Sequence, residues 1–446
     1  MEQNLTSGNP LTLIIRFSLP LLIGNIFQQF YNMADTVIVG KTLGMEALAA
    51  VGIAGTFAFL MFGFAYGFTS GLTIITGQRF GAGEIDNTRR SIAASFILTG
   101  AVSVLLTTVC LLFCRPILHL LNTPADVFDQ TFRFLSILLL GLPAMVGYNL
   151  CASILRALGD SKTPLYFLTA ACILNVLLDL VFIICFRWGI AGAAFATIFT
   201  QLLSGISCFL YAKRKFTLFQ LRRQDWKADW PFIRKHLYIA LPLAFQSSLI
   251  GLSIVFLQAE LNLLGGQAVA AYTAGNKINQ LTILPAFSFA TALASFTAQN
   301  YGAKQYRRIC HGVTVCGITT TIFGYITSLL AIVFSSQLTR FFVSGGEAEL
   351  LTPQVHAMLI ISGVPCILLT MLLTYRFALI GMGLTFIPLL GGLAELFMRG
   401  FFVHPLAKLW GYEGICLSSP LAWLGSLLMM GIVYHRKIHR LTGRFY

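Results

Sequence analysis

Apolar stretches of about twenty residues follow one another along the whole 446-residue chain, parted by short polar turns. A helix of that length rises about 30 Å, the thickness of a bilayer's hydrocarbon core. Reading each stretch as one span gives twelve, at roughly 12–38, 47–75, 91–114, 131–154, 163–186, 190–211, 237–263, 268–297, 309–334, 354–377, 382–403 and 412–434. None shows the ten-residue alternation of an outer-membrane barrel strand. The predicted fold class is an all-α membrane protein with twelve transmembrane helices.

The pattern also repeats itself 221 to 222 residues further on. Leu43-Gly44-x-x-Ala47-x-Ala49-Ala50 returns as Leu264-Gly265-x-x-Ala268-x-Ala270-Ala271, and Gly141-x-Pro143 returns as Gly363-x-Pro365. Gln78-x-x-Gly81 matches Gln299-x-x-Gly302, Gly159 and Thr163 match Gly381 and Thr385, and Trp188-Gly189-x-x-Gly192 matches Trp410-Gly411-x-x-Gly414. Six spans is an even number, so both copies enter the membrane from one face and the repeats are parallel. The expected organisation is a six-helix lobe over 1–212, a basic cytoplasmic linker over 213–236 and a second six-helix lobe over 237–446. Such a duplication, in so apolar a chain, points to a secondary transporter that rocks two bundles about a cleft.

Composition supports this. The chain is 57% hydrophobic and 10% charged, whereas soluble domains carry about 25% charged residues, so lipid has to be its solvent. The net charge of +14 invites a nucleic-acid partner, but its distribution rejects one. With the N-terminus inside, 22 of the 30 Lys and Arg residues fall in inner loops and in the tail, as the positive-inside rule requires. The chain is thus expected in the cell (cytoplasmic) membrane with both termini cytoplasmic. Met1 to Pro10 is polar and precedes a full-length span, so no cleavable signal peptide is expected. The linker's Trp226 and Trp230, among eight cations, fit either an amphipathic segment on the inner leaflet or a plain connecting loop. Ten cysteines without metal-like spacing read as buried thiols. No Ser–His–Asp order, zinc spacing or P-loop is present, so no enzyme and no cofactor is expected.

Charge inside the bilayer costs about 2.5–3.5 kcal/mol on insertion scales, so intramembrane ionisable residues are the short list for function. Asp35 lies near the outer end of span 1. Span 5 carries Asn175-x-x-x-Asp179 on one helical face, and span 6 carries Thr197 at a similar depth, roughly 12 Å below the outer boundary. These four residues converge as a predicted ion-coupling site. A desolvated carboxylate suits a proton, and the same oxygens, with the Asn175 carbonyl and Thr197 hydroxyl, suit Na⁺. For Asn175 and Thr197 the alternative is that they hold helices together by hydrogen bonds. At the repeat spacing, Asn175 and Asp179 correspond to Phe397 and Phe401, Asp35 to Phe256 or Leu257, and Thr197 to Ser419, so ion coupling is expected in the first half. Glu395 and Arg399, four apart, are expected to neutralise each other as a structural pair. Lys277 lacks a carboxylate one turn away, with Glu260 a candidate partner, and Pro20 is read as a structural bend in the helix that carries Asp35.

These residues carry a resemblance. The run Gln28-Gln29-Phe30-Tyr31-Asn32-Met33-Ala34-Asp35-Thr36-Val37-Ile38-Val39-Gly40 resembles the first-helix signature of the multidrug and toxic compound extrusion (MATE) family. Gly81-Ala82-Gly83, Arg156-Ala157-Leu158-Gly159-Asp160 and Ala271-Tyr272-Thr273-Ala274-Gly275-Asn276-Lys277 are similar to the family as well, and the likeness runs from about residue 10 to 435. It implies multidrug efflux by H⁺ or Na⁺ antiport of amphipathic organic cations, with alternating access between two lobes. Asp35, Asn175, Asp179 and Thr197 match the first-lobe pattern of the DinF-type branch. The NorM-type branch's acids in spans 7 and 10 are missing, with Gln246, Ser247 and Ser248 in the middle of span 7. Candidate cavity residues are Gln28, Tyr31, Asn32, Lys277 and Gln280. Partners are then small organic cations and the lipid bilayer, for a monomer with no nucleic acid. The alternative is a lipid-linked oligosaccharide flippase of the same superfamily.

Overall fold

The structure, a computed structural model, describes residues 4–120, 123–227, 229–343 and 347–443; Arg444 of the basic tail lies outside them. Those residues are overwhelmingly helical. In chain order the helices are α1 (Pro10–Leu43), α2 (Met45–Gly81), α3 (Ile85–Leu120), α4 (Ala125–Leu140), α5 (Leu142–Ala157), α6 (Lys162–Leu180), α7 (Ile190–Lys215), α8 (Trp230–Leu263), α9 (Gly266–Gly302), α10 (Tyr306–Val333), α11 (Ser335–Phe342), α12 (Glu347–Gly363), α13 (Cys366–Gly381) and α14 (Phe386–Thr442). Among the described residues, nine are long and apolar enough to cross a membrane. Two further spans are bent pairs, α4 with α5 at 45° and α12 with α13 at 50°. Both bends fall at the repeated Gly-x-Pro, where proline cannot supply the backbone donor that would carry a straight helix through. The 57 residues of α14 exceed one crossing, and Gly411 breaks them with φ 55° and ψ −127°. Counting α14 as two gives the twelve spans.

The chain divides into two compact units, and the division differs from the lobes expected from sequence. One unit is built on Ile23–Ser247 and the other on Leu5–Leu22 with Ser248–Tyr446. The start of α1 therefore belongs with the second half, and the start of α8 with the first. Each division falls within two turns after a proline inside the helix, Pro20 in α1 and Pro242 in α8. Local bonds explain both assignments. The Leu5 amide donates to Gln299 Oε1 at 2.8 Å, and its carbonyl accepts from Asn300 Nδ2 at 3.2 Å and Arg308 Nη2 at 3.3 Å. Ile14 and Phe17 are buried with Phe289, Leu293 and Phe296 in the second unit's core.

The start of α8 is held to α2 by close backbone approach. Gly63, Gly67 and Gly71 form a strip along α2, facing Ser247, Leu243 and Ala240. A Cβ on Gly71 would sit 2.6 Å from the Ala240 Cα, a backbone atom that cannot swing aside. Small residues four apart are how helices approach without water to drive them together. At the same end His236, fully buried, bonds Ser91 Oγ through Nε2 at 2.8 Å.

The connection from α7 to α8 runs over 216–229, shorter than the expected 213–236, because Lys215 still ends α7 and Trp230 already begins α8. It folds as two short 3₁₀ turns, Thr217–Phe219 and Arg223–Trp226, and buries Phe216, Leu218 and Phe219 against Ile92, Leu150 and Ile154 of its own unit. Arg90 Nη2 ties it to Asp229 at 2.9 Å. Trp226 and Trp230 stay exposed.

Gly71→Leu is expected to destabilise the protein by about 3 kcal/mol or more through overpacking. Gly52→Leu on the same helix, where nothing lies within 4 Å of a Cβ, is expected to be tolerated. Melting curves of the two purified variants check this; equal melting points would contradict the close approach of α2 and α8.

Candidate functional site

Three helices of the first unit supply the site. On α1, Tyr31 and Asp35 are four apart and share a face; on α6, Asn175 and Asp179 do the same; α7 brings Thr197. All five come together. Asn175 and Asp179 are only 1% and 0% exposed. With the amide oriented as its neighbours require, Asn175 Nδ2 donates to Asp179 Oδ2 at 2.9 Å and its Oδ1 accepts from the Thr197 amide at 3.2 Å. The Thr197 hydroxyl donates to the Ala193 carbonyl at 3.1 Å, which leaves it to accept from the Tyr31 hydroxyl at 3.3 Å. The Asp35 and Asp179 carboxyls face each other within hydrogen-bonding range.

The charge balance is one-sided. Asp35 Oδ1 and Asp179 Oδ1 are buried and take no hydrogen bond. Among the described residues neither aspartate belongs to an ion pair. Two carboxyl groups in contact cannot both stay bare, so a proton shared between them or a small cation has to neutralise the pair. For a cation the donors are hard oxygens: two carboxylates and the hydroxyls of Tyr31 and Thr197. The Asn175 carbonyl, expected among the Na⁺ ligands, is engaged by the Thr197 amide, and the side chain's evident work is to hold Asp179.

The remaining expected residues are placed separately. Gln28 and Asn32 are exposed on α1, and Lys277 and Gln280 are exposed on α9. The Lys277 ammonium lies 5.9 Å from the Phe342 ring centroid, and Glu260 is taken instead by His404 Nδ1 at 3.0 Å. Pro20 lies inside α1. The Glu395–Arg399 pair is corrected: Glu395 is bound by Arg376 Nη2 of α13, while Arg399 Nη1 donates to Ser253 Oγ of α8 at 2.7 Å. Spacing of four along one helix suggested the pair, but a residue on a packed neighbour reached the carboxylate first.

The repeat relation also needs correcting. After α5 the chain turns through Gly159 N to Arg156 O and Asp160 N to Leu155 O, at 3.0 and 2.8 Å; after α13 it turns through Gly383 N to Ile380 O and Leu384 N to Leu379 O, at 2.8 and 3.0 Å. Gly159 and Gly383 both sit in the left-handed region, at φ 88° and 80°. The true counterpart of Gly159 is thus Gly383, 224 residues on, and not Gly381. At the far end Gly189 and Gly411, at φ 58° and 55°, keep the spacing of 222. The first half absorbs its two extra residues in the π-helical turn Val181–Cys185 and the left-handed Arg187 at φ 54°. Along α6 the spacing is therefore 224, which matches Pro164 to Pro388, Asn175 to Arg399 and Asp179 to Val403. Burial agrees: Arg399 and Val403 are inside, whereas Phe397 and Phe401, the counterparts expected from sequence, are 71% and 73% exposed. The second half has lost its acids, as expected, but at the place of Asn175 it carries a guanidinium.

Comparison with known proteins agrees with this architecture. The MatE family model matches residues 20–181 and 242–406. The chain is similar to the probable multidrug resistance protein YpnP of Bacillus subtilis (strain 168), 29% identical over 344 residues and 77% of each chain. It is likewise 29% identical to the probable multidrug resistance protein YoeA of the same organism, over 74% of this chain and 73% of that one. Its fold is that of a multidrug resistance MATE family transporter of the MOP superfamily solved in an outward-facing conformation, with a TM-score of 0.92 over 98% of each chain at 22% identity.

The bond between Asn175 and Asp179 can be weighed by a double-mutant cycle with Asn175→Ala and Asp179→Ala. A coupling of about 1 kcal/mol or more in thermal stability is expected. Additive effects would show that the amide does not hold the carboxylate.

Proposed function

The chain belongs to the MatE family of multidrug efflux transporters, and on that premise we propose that it exports amphipathic organic cations in exchange for H⁺ or Na⁺ bound by Asp35 and Asp179. The observation that carries this reading is the contact of the buried Asp179 carboxyl with the half-buried Asp35, with no cationic side chain paired to either among the described residues. A structural pair would come with its counter-charge. A coupling site must release its charge, so it is left without one.

The geometry suggests the sequence of events. Two unit charges of like sign at contact distance repel by a few kcal/mol at an effective dielectric of about 20, so two bare carboxylates here push α1 and α6 apart. A proton or Na⁺ arriving from outside removes that repulsion and draws α1 and α6 together at Asp35 and Asp179. Tyr31, one turn before Asp35, follows through its bond to Thr197, so ion binding closes three helices at once. Departure of the ion reverses the contact. Pro20 removes a backbone hydrogen bond from α1 and makes that helix the one to bend. In this reading the organic cation and the ion compete for the two states, and both termini lie on the cytoplasmic side of the cell membrane, where the Lys and Arg excess places them.

Asp35→Asn and Asp179→Asn are each expected to abolish dye export, with the protein still inserted and folded. Normal export by both variants would sink the reading. The coupling ion follows from dye efflux in proteoliposomes with proton and Na⁺ gradients imposed separately. One gradient is expected to drive export on its own, and export indifferent to both would exclude ion coupling.

A further inference from the structure

The second unit contains a buried charge that the export reading leaves unused. Arg399, only 9% exposed, stands where Asn175 stands in the other half. Its Nη1 donates to Ser253 Oγ at 2.7 Å, and its Nε is buried with no acceptor. Arginine does not give up its proton in proteins, so this charge is fixed and must be met by a negative one.

An inventory of carboxylates decides whether the protein meets it. From Ser248 to the C-terminus the chain has five: Glu260, Glu347, Glu349, Glu395 and Glu413. Glu260 is taken by His404, and Glu349 by Arg340. Glu347 and Glu413 are exposed. Glu395 alone is in the neighbourhood, and it is bound to Arg376, a second buried guanidinium whose Nε also lacks an acceptor. Two buried guanidiniums thus share one carboxylate. One positive charge is left over, in a unit with no further acid to offer.

We infer that Arg399 is an anion-binding residue: with Ser253 beside it, it receives a small monovalent anionic group. A guanidinium fork matches a carboxylate in two parallel bonds, and Nε is one prong of that fork. The anion has two sources, the carboxylate of an amphipathic cargo molecule or a free inorganic anion such as chloride. The sites in the two halves then have opposite sign.

The test uses purified full-length protein in a buffer whose only anions are bulky, with the fluorescent probe 7-methoxycoumarin-3-carboxylate and its uncharged amide. Anisotropy is expected to show saturable binding of the carboxylate and not of the amide. Arg399→Gln is expected to weaken that binding about tenfold or more, since it removes one partner of a buried charge pair. Glu395→Gln removes the competing negative charge and is expected to strengthen it severalfold, which provides a readout should Arg399→Gln not fold. Displacement of the probe by chloride supports the site and identifies an inorganic source; resistance to chloride supports it and identifies a cargo carboxylate. No saturable binding by the wild type, or unchanged affinity in Arg399→Gln, or no strengthening in Glu395→Gln, overturns the inference.

Discussion

Two carboxyl groups held against each other, Asp179 buried and Asp35 half-buried, with no ion pair to either among the described residues, constrain everything around them. A lone buried carboxylate is expensive, and two in contact add mutual repulsion. The arrangement persists only when something small and positive joins it. Asn175 fixes Asp179, Thr197 fixes Asn175, and Tyr31 leans on Thr197, so the neighbours are spent on orientation and none on neutralisation. On the proposed reading, an ion that comes and goes completes this network.

The duplicated scaffold shows how such a site can exist in a stable membrane protein. The halves share their turns: left-handed glycines at 44 and 265 and at 189 and 411, and bent helix pairs at Gly141-x-Pro143 and Gly363-x-Pro365. These positions are bound by backbone geometry and resist change. Side chains projecting into the same places are free to diverge. One half has acid without base, and the other has base in excess of acid. Burial of the backbone is symmetric; burial of charge is not.

Much of this is legible in the chain. The spans follow from apolar length, the bends from Gly-x-Pro, and the acidic cluster from i, i+4 spacing and matched depth. The rest depends on contacts between distant segments. A two-residue excess hidden in the π-helical turn at Val181–Cys185 shifts the register of α6 against its copy, and motif spacing alone misassigns Phe397 and Phe401 for want of it. The Arg376–Glu395 pair crosses from α13 to α14 and has no local signature. Nor does the hold of Gln299 and Asn300 on Leu5, which assigns the start of α1 to the second unit. The linker's Trp226 and Trp230 stay exposed, and the residues that anchor it, Phe216, Leu218 and Phe219, carry no signal beyond being apolar.

The central claim is that the buried aspartate pair holds an exchangeable cation. Its most direct test counts the ions that purified protein releases when it binds an organic-cation dye, by proton release into weakly buffered solution and by radioactive Na⁺ displacement. The account predicts about one H⁺ or Na⁺ released per dye bound by the wild type and none from Asp179→Asn. Equal release from the variant, or dye binding with no ion released from the wild type, would contradict it.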